Sequence, residues 1–143
     1  MTDLLGADHR RLDALFADAR RLCGAGEVPA ARARFAAFRE GLEHHIEAEE
    51  QVLFPAFEVL TGVARGGPTA VMRGEHVELR KLMAEVAGLL EAEVEAGTTL
   101  FATLTALIHA HNGKEERILY PTTDRLACLA GTIDHLVERL HEF

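Results

Sequence analysis

Tryptophan is absent from this 143-residue chain, tyrosine occurs once and cysteine twice. Cys23 and Cys128 form no CxxC pair, which excludes a disulfide scaffold and a cysteine-rich zinc site. They read as reduced thiols in a cytoplasmic protein. Proline is scarce, with four residues, and 13 valines and isoleucines stand against 23 alanines and 20 leucines. That balance excludes a sheet-dominated fold and favours helix. No apolar run reaches the roughly 18 residues of a membrane span. The opening Met1-Thr2-Asp3-Leu4-Leu5 lacks the basic-then-apolar layout of a signal peptide. Positive charge is also short: 15 Lys and Arg face 23 Asp and Glu, a net −8, which argues against a nucleic-acid partner. Histidine, by contrast, is plentiful, with eight residues.

Apolar residues recur at helical spacing, and glycine and proline cut the chain into segments of one domain, 1–143. Thr2 or Asp3 is placed to cap a first helix that runs to about Cys23 and stops at Gly24-Ala25-Gly26. Pro29 suits the first turn of a second helix reaching about Thr61. A loop from Gly62 to Gly67 precedes a third helix, which starts at Pro68 and ends before Gly97. Thr98 or Thr99 caps the fourth. After Pro121, a shorter terminal helix is expected from about Thr122 to Leu140. Long helices with short connections predict an all-α, up-down-up-down four-helix bundle over about 3–121, followed by that terminal helix.

The chain contains an internal repeat. His45-Ile-Glu-Ala-Glu49-Glu50-Gln-Val-Leu53-Phe-Pro55 returns 66 residues later as His111-Asn-Gly-Lys-Glu115-Glu116-Arg-Ile-Leu119-Tyr-Pro121, with five of eleven positions identical. Asp8-His9-Arg-Arg-Leu12 answers to Glu75-His76-Val-Glu-Leu79. A helical hairpin is written twice, each copy with one histidine on its first helix and His-xxx-Glu on its second.

Residues four apart share a helix face, so His45 and Glu49 lie together, as do His111 and Glu115. The apolar stripes show that this face points inward. They run Leu5, His9, Leu12, Phe16, Ala19, Cys23 in the first helix and Phe38, Leu42, His45, Glu49, Val52 in the second. The third gives Met72, His76, Leu79, Met83, Val86, Leu90, and the fourth Leu104, Leu107, His111, Glu115, Ile118. Four imidazoles and two carboxylates inside one small bundle are costly if unpaired. A mutual hydrogen-bond network in a metal-free bundle is one solution; a metal satisfies all six at once. Residues 9 and 45 lie equally far from residue 27, so their heights should match. His76 and His111 would be level across a turn centred near residue 93 or 94, a few residues before the Gly97 signal. Six mixed N and O donors exceed a tetrahedral zinc and are wrong for calcium. Imidazole with carboxylate suits iron ahead of manganese and zinc.

The sequence resembles the hemerythrin-like (HHE cation-binding) family. The resemblance rests on Asp8-His9, His45-xxx-Glu49-Glu50 with Leu53-Phe54-Pro55, Glu75-His76, and His111-xxx-Glu115-Glu116 with Leu119-Tyr120-Pro121. It implies a non-haem centre of two iron ions, oxo- or hydroxo-bridged, that binds O₂, NO or peroxide. His9 and His45 would serve one iron, His76 and His111 the other, and Glu49 and Glu115 would bridge. Oxygen-carrying members have a fifth histidine where Arg80 stands, and an aspartate five residues after the last histidine where this chain has Glu115 at four. Arginine cannot ligate. Of about twelve octahedral positions on two irons, four imidazoles, two bridging carboxylates and a bridging oxide fill about ten. The two left open favour reactive chemistry over reversible carriage. The alternatives are a sensor that couples ligation to a protein partner, docked on a terminal helix bearing Ile133, Leu136, Val137 and Leu140, and iron storage or delivery for repair of iron centres. Nothing in the sequence specifies a substrate pocket.

Other polar residues have expectations of their own. His44 and His109 are candidates for the missing ligand, although both point off the stripe; His135 and His141 are read as surface. Glu50 and Glu116 are read as packing salt bridges or as supports behind the ligands. Asp13 and Arg80, equivalent in the repeat, are candidates to pair with each other, with Asp13 also a candidate to hold a ligand imidazole. Tyr120 is read as packing or as a hydroxyl near the metals. Gly113 is a candidate for a local bulge, and Cys23 and Cys128 for packing.

Overall fold

The computed structural model describes residues 1–92 and 98–143. Helix α1 spans Thr2–Gly24. Helix α2 covers 28–61 in three parts: an α segment Val28–Ala48, a π-turn Glu49–Leu53 and an α segment Phe54–Thr61. Helix α3 is Pro68–Glu91. Helix α4 covers 98–129, as Thr98–Lys114, a π-turn Glu115–Leu119 and Tyr120–Leu129. A short α5, Ile133–Glu142, follows. Sequential helices pack on one another, α1 on α2, α2 on α3 and α3 on α4. The expected four-helix bundle is the fold found.

Two boundaries differ from expectation. Thr2 lies inside the first turn of α1 and caps nothing. Its N–H donates to Asp124 of α4 at 3.0 Å, so the start of the chain is tied across the bundle. Pro121 does not end the fourth helix. Proline lacks an N–H and its ring collides with the carbonyl four residues back. The π-turn just before it adds a residue to that turn and moves the carbonyl aside, so the helix continues to Leu129. The break falls instead at Gly131, whose φ of 70° needs no Cβ. Pro55 in α2 sits behind the same device. The Gly97 stop lies outside the described residues, as does the side chain of Thr98. Helix α3 stops at Glu91 and α4 starts at Thr98, so the connection straddles residues 93–94, the position that puts His76 and His111 level.

The interior divides into two apolar layers. One contains Phe16, Phe35, Phe38, Leu79, Met83 and Leu104; the other contains Leu53, Phe54, Phe57, Met72, Leu119 and Tyr120. The buried histidines and glutamates form a belt between them. Helix α5 closes the second layer. Its Leu136 and Leu140 are buried and Ile133 packs beside them, so most of the face expected to dock a partner is spent on the protein's own core, while Val137 stays half-buried outside it. Cys23 is packed as expected, whereas Cys128 is exposed. No helix among the described residues is long and apolar enough to cross a membrane.

Candidate metal centre

The π-turns decide which side chains enter the belt. Each starts at the glutamate of a His-xxx-Glu motif. In a regular helix the inward line after Glu115 would pass through Ile118. The extra residue shifts it to Leu119 and Tyr120, and Ile118 is left 59% exposed, contrary to expectation. Tyr120 lies five residues after Glu115, about 140° around an unbroken α-helix; the wider turn brings it back to the ligand face. Gly113 is not the cause, because the first copy forms the same turn with Glu47 in that place. The Arg117 guanidinium occupies the space where a Gly113 side chain would be.

His9, His45, His76, His111, Glu49 and Glu115 are all buried and converge. They form two tetrads, His9/His45/Glu49/Glu115 and His76/His111/Glu49/Glu115. Each carboxylate divides its oxygens between them. Glu49 Oε1 is 3.2 Å from His45 Nε2 and Oε2 is 3.2 Å from His76 Nε2. Glu115 Oε2 is 3.2 Å from His9 Nε2 and Oε1 is 3.0 Å from His111 Nε2. The His9 and His45 rings are 4.6 Å apart and those of His76 and His111 4.8 Å, so each pair is level.

The outer nitrogens are all committed. His45 Nδ1–H donates to Asp8 at 2.8 Å, His76 to Glu50 at 2.9 Å, His111 to Glu75 at 2.9 Å and His9 to Glu116 at 3.3 Å. Asp8 and Glu75 act within a hairpin, while Glu50 and Glu116 reach from one hairpin to the other. Three of these carboxylates are themselves held by cations: Asp8 by Arg11, Glu50 by Arg80 and Glu75 by Lys114. This is the arrangement that orients imidazoles as ligands through Nε2. Glu50 accepts from His76 and pairs with Arg80, and Glu116 accepts from His9. The roles of Asp8 and Glu75 were not anticipated. The signal was present as an acidic residue beside each helix's first ligand, Asp8-His9 and Glu75-His76, as Glu50 and Glu116 stand beside Glu49 and Glu115. Arg80 pairs with Glu43 at 2.6 Å and with Glu50 at 3.2 Å, and does not pair with Asp13. Asp13 is exposed and holds no ligand. His44 stacks near Phe143, and His109, His135 and His141 are exposed, so none of the four reaches the belt.

Distances test whether an ion fits. The outer contacts of 2.8–2.9 Å are charge-assisted hydrogen bonds of normal length. The inner four, at 3.0–3.2 Å, are longer. Donor atoms each about 2.1 Å from a shared ion, at octahedral to tetrahedral angles, lie about 3.0–3.4 Å apart. The inner spacing matches that of ligand atoms around a common centre, and also the long end of an N–H···O hydrogen bond. Glu49 Oε2, His76 Nε2 and Glu115 Oε1 are buried without a hydrogen-bond partner, and all three face the second tetrad.

Electrostatics agree. Burial opposes charge on His45, but the Glu49 charge and the hydrogen bonds to Asp8 and Glu49 push it up to about 10. His76 rises to about 9 against burial, because the Glu115 and Glu49 carboxylates stand beside its inner nitrogen and Glu50 accepts from its outer one. Burial and the Glu115 charge work against ionised Glu49, yet His45 and His76 hold it below the usual carboxylate range. Glu115 is held well below that range by the imidazoles of His111, His76 and His9 around it, which outweigh burial. The belt is a buried pair of anions that demands positive charge, which protons or metal ions can supply.

The hemerythrin HHE cation-binding domain matches residues 1–123 of the chain. No curated protein and no solved structure matches it. The family match covers both copies of the hairpin and all six belt residues, and the chain belongs to the hemerythrin HHE cation-binding family.

Proposed function

We propose that the protein is a non-haem di-iron protein that binds or processes O₂, NO or peroxide. The observation that carries this reading is the division of each carboxylate's oxygens between two histidine pairs. A single-ion site has no use for it. His9 and His45 would hold one ion and His76 and His111 the other, with Glu49 and Glu115 shared between the two. Iron is the metal best matched to imidazole with carboxylate, ahead of manganese and zinc.

When bound, the ferrous pair supplies electrons and coordination positions to a small ligand. The chain's own residues set the conditions. Asp8, Glu50, Glu75 and Glu116 hold the imidazoles by Nδ1 so that Nε2 needs no reorientation. Leu53, Phe54 and Leu119, each at most 2% exposed, wall the belt against bulk water. A cleft of about 360 Å³ lined by Asp8, Arg11, His44, His45 and Leu140 reaches the outer side of the Asp8–His45 pair. The six belt residues are at most 3% exposed, which suits diatomic molecules and peroxide better than an organic substrate. The two free cysteines, one exposed, suit a reducing compartment such as the cytoplasm. A sensor that docks a partner through α5 loses support, because most of that face is buried.

Absorption spectra of the iron-loaded protein test the reading. Addition of O₂ or NO to the ferrous form, or peroxide to either form, should change the spectrum within the mixing experiment. Inertness toward all three would contradict it.

A further inference from the structure

The two halves of the belt are equivalent in their histidines and glutamates but differ at one residue. Tyr120 and Phe54 occupy the same place in the repeat, each just after its π-turn, and both are fully buried. The Tyr120 hydroxyl donates to Glu49 Oε1 and lies 3.0 Å from Glu115 Oε2. It lies 3.2 Å from His9 Nε2 and 3.3 Å from His45 Nε2. Its oxygen therefore touches every inward atom of the first tetrad. Phe54 faces the other half and presents no heteroatom. Its ring stacks on His76 at 5.5 Å, with Arg73 on it at 5.3 Å from the centroid. The three unpartnered belt atoms all face this second half.

Packing alone accounts for Phe54 but not for Tyr120. A phenol set among four donor atoms is a fifth oxygen or nitrogen donor for the same ion. Arg80 adds nothing to the other half, since its guanidinium is taken by Glu43 and Glu50. If one position on each iron is left open by the six shared ligands and the bridge, the first is within reach of Tyr120 and the second faces Phe54.

Resting on the dinuclear reading above, we infer that Tyr120 is a seventh protein ligand, to the iron held by His9 and His45, and that a small exogenous anion or gas binds on the His76/His111 side, against Phe54. As a ligand the phenol gives its proton to solvent and its oxygen lone pair to the metal. The centre is then asymmetric, with one open position.

The test uses the full chain loaded with ferric iron. Resonance Raman spectra of the wild type should show tyrosinate ring modes enhanced through a visible charge-transfer band. Tyr120→Phe should lose both while keeping its iron. Azide is the probe for the open position: the wild type should bind one per iron pair, Phe54→Tyr should lose that binding and gain a second set of tyrosinate modes, and Tyr120→Phe should bind a second azide. If Tyr120→Phe does not fold, the wild-type spectrum and the Phe54→Tyr titration still decide. Full iron with no tyrosinate modes would overturn the inference and leave the dinuclear reading standing. Azide binding untouched by Phe54→Tyr would overturn the placement of the open position. A chain that takes up no iron would overturn both.

Discussion

The layer around Phe16, Phe35, Phe38 and Leu104 and the belt of His9, His45, His76, His111, Glu49 and Glu115 are built by the same four helices, about two turns of helix apart, and both are buried. In the aromatic layer, Phe16 and Phe38 rings lie 4.9 Å apart and Phe35 meets Phe101 edge-on at 6.4 Å. That layer gains from apolar area removed from water, a term indifferent to metal and nearly so to pH. The belt removes ionised groups from water, which costs several kcal/mol per ion before any partner is counted. The aromatic layer holds the bundle together; the belt is held by it and needs positive charge to be tolerated. Stability should therefore respond to different variables in the two regions.

The largest expected effects separate them directly. Phe38→Ala removes a ring that is 1% exposed and should cost about 3–5 kcal/mol in denaturant unfolding, equally in metal-free and iron-loaded protein. Chelation should act on the belt alone. A metal held at a thousand times its dissociation constant stabilises by about 4 kcal/mol, so stripping it should lower Tm clearly in the wild type. The Glu49→Ala plus Glu115→Ala variant should show no such shift. Equal Tm with and without chelator in the wild type would erase the distinction between the regions.

Smaller effects come from the carboxylates behind the imidazoles. Asp8→Ala and Glu75→Ala leave the Nδ1–H groups of His45 and His111 unpaired and should weaken metal binding by about 10–100-fold in a competition titration. Arg80→Gln loosens Glu50 without removing it, and should produce the same change to a lesser degree.

The pH response has a definite sign. His45 near 10 and His76 near 9 lie above the ordinary 6.5, so in metal-free protein their contribution is complete below about pH 6.5 and fades as pH rises through 9–10. Glu49 and Glu115 are shifted the other way, and their contribution is lost as pH falls below the usual carboxylate range. Metal must displace the imidazole protons, so metal affinity should rise across the window in which metal-free stability falls. Calorimetry in buffers of different ionisation enthalpy should register the protons released. In Phe38→Ala the same pH slope should persist, offset by a constant.

Much of this was legible before any coordinates. Apolar stripes located both the aromatic layer and the six belt residues, because helical periodicity holds from Leu5 to Glu49 and from Met72 to Glu115. It fails after each glutamate, where the π-turn adds a residue that periodicity cannot register. Ile118 was consequently assigned inward and Tyr120 left undecided between packing and the metals. Pro55 and Pro121 mark the place, since a helix that continues through proline must widen its preceding turn or kink. Asp8 and Glu75 belong to the quoted motif but receive no role from it, for a different reason. They act across to a neighbouring helix, and single-helix spacing carries no information about that.

Iron content per chain tests the central claim most directly, measured by elemental analysis on protein reconstituted with iron and on the Glu49→Ala plus Glu115→Ala variant. The account predicts about two irons in the wild type, as the paired tetrads require, and loss of both in the variant. No stoichiometric metal in the wild type, or an unchanged amount in the variant, would contradict it and leave the belt as a polar core held by its own hydrogen bonds.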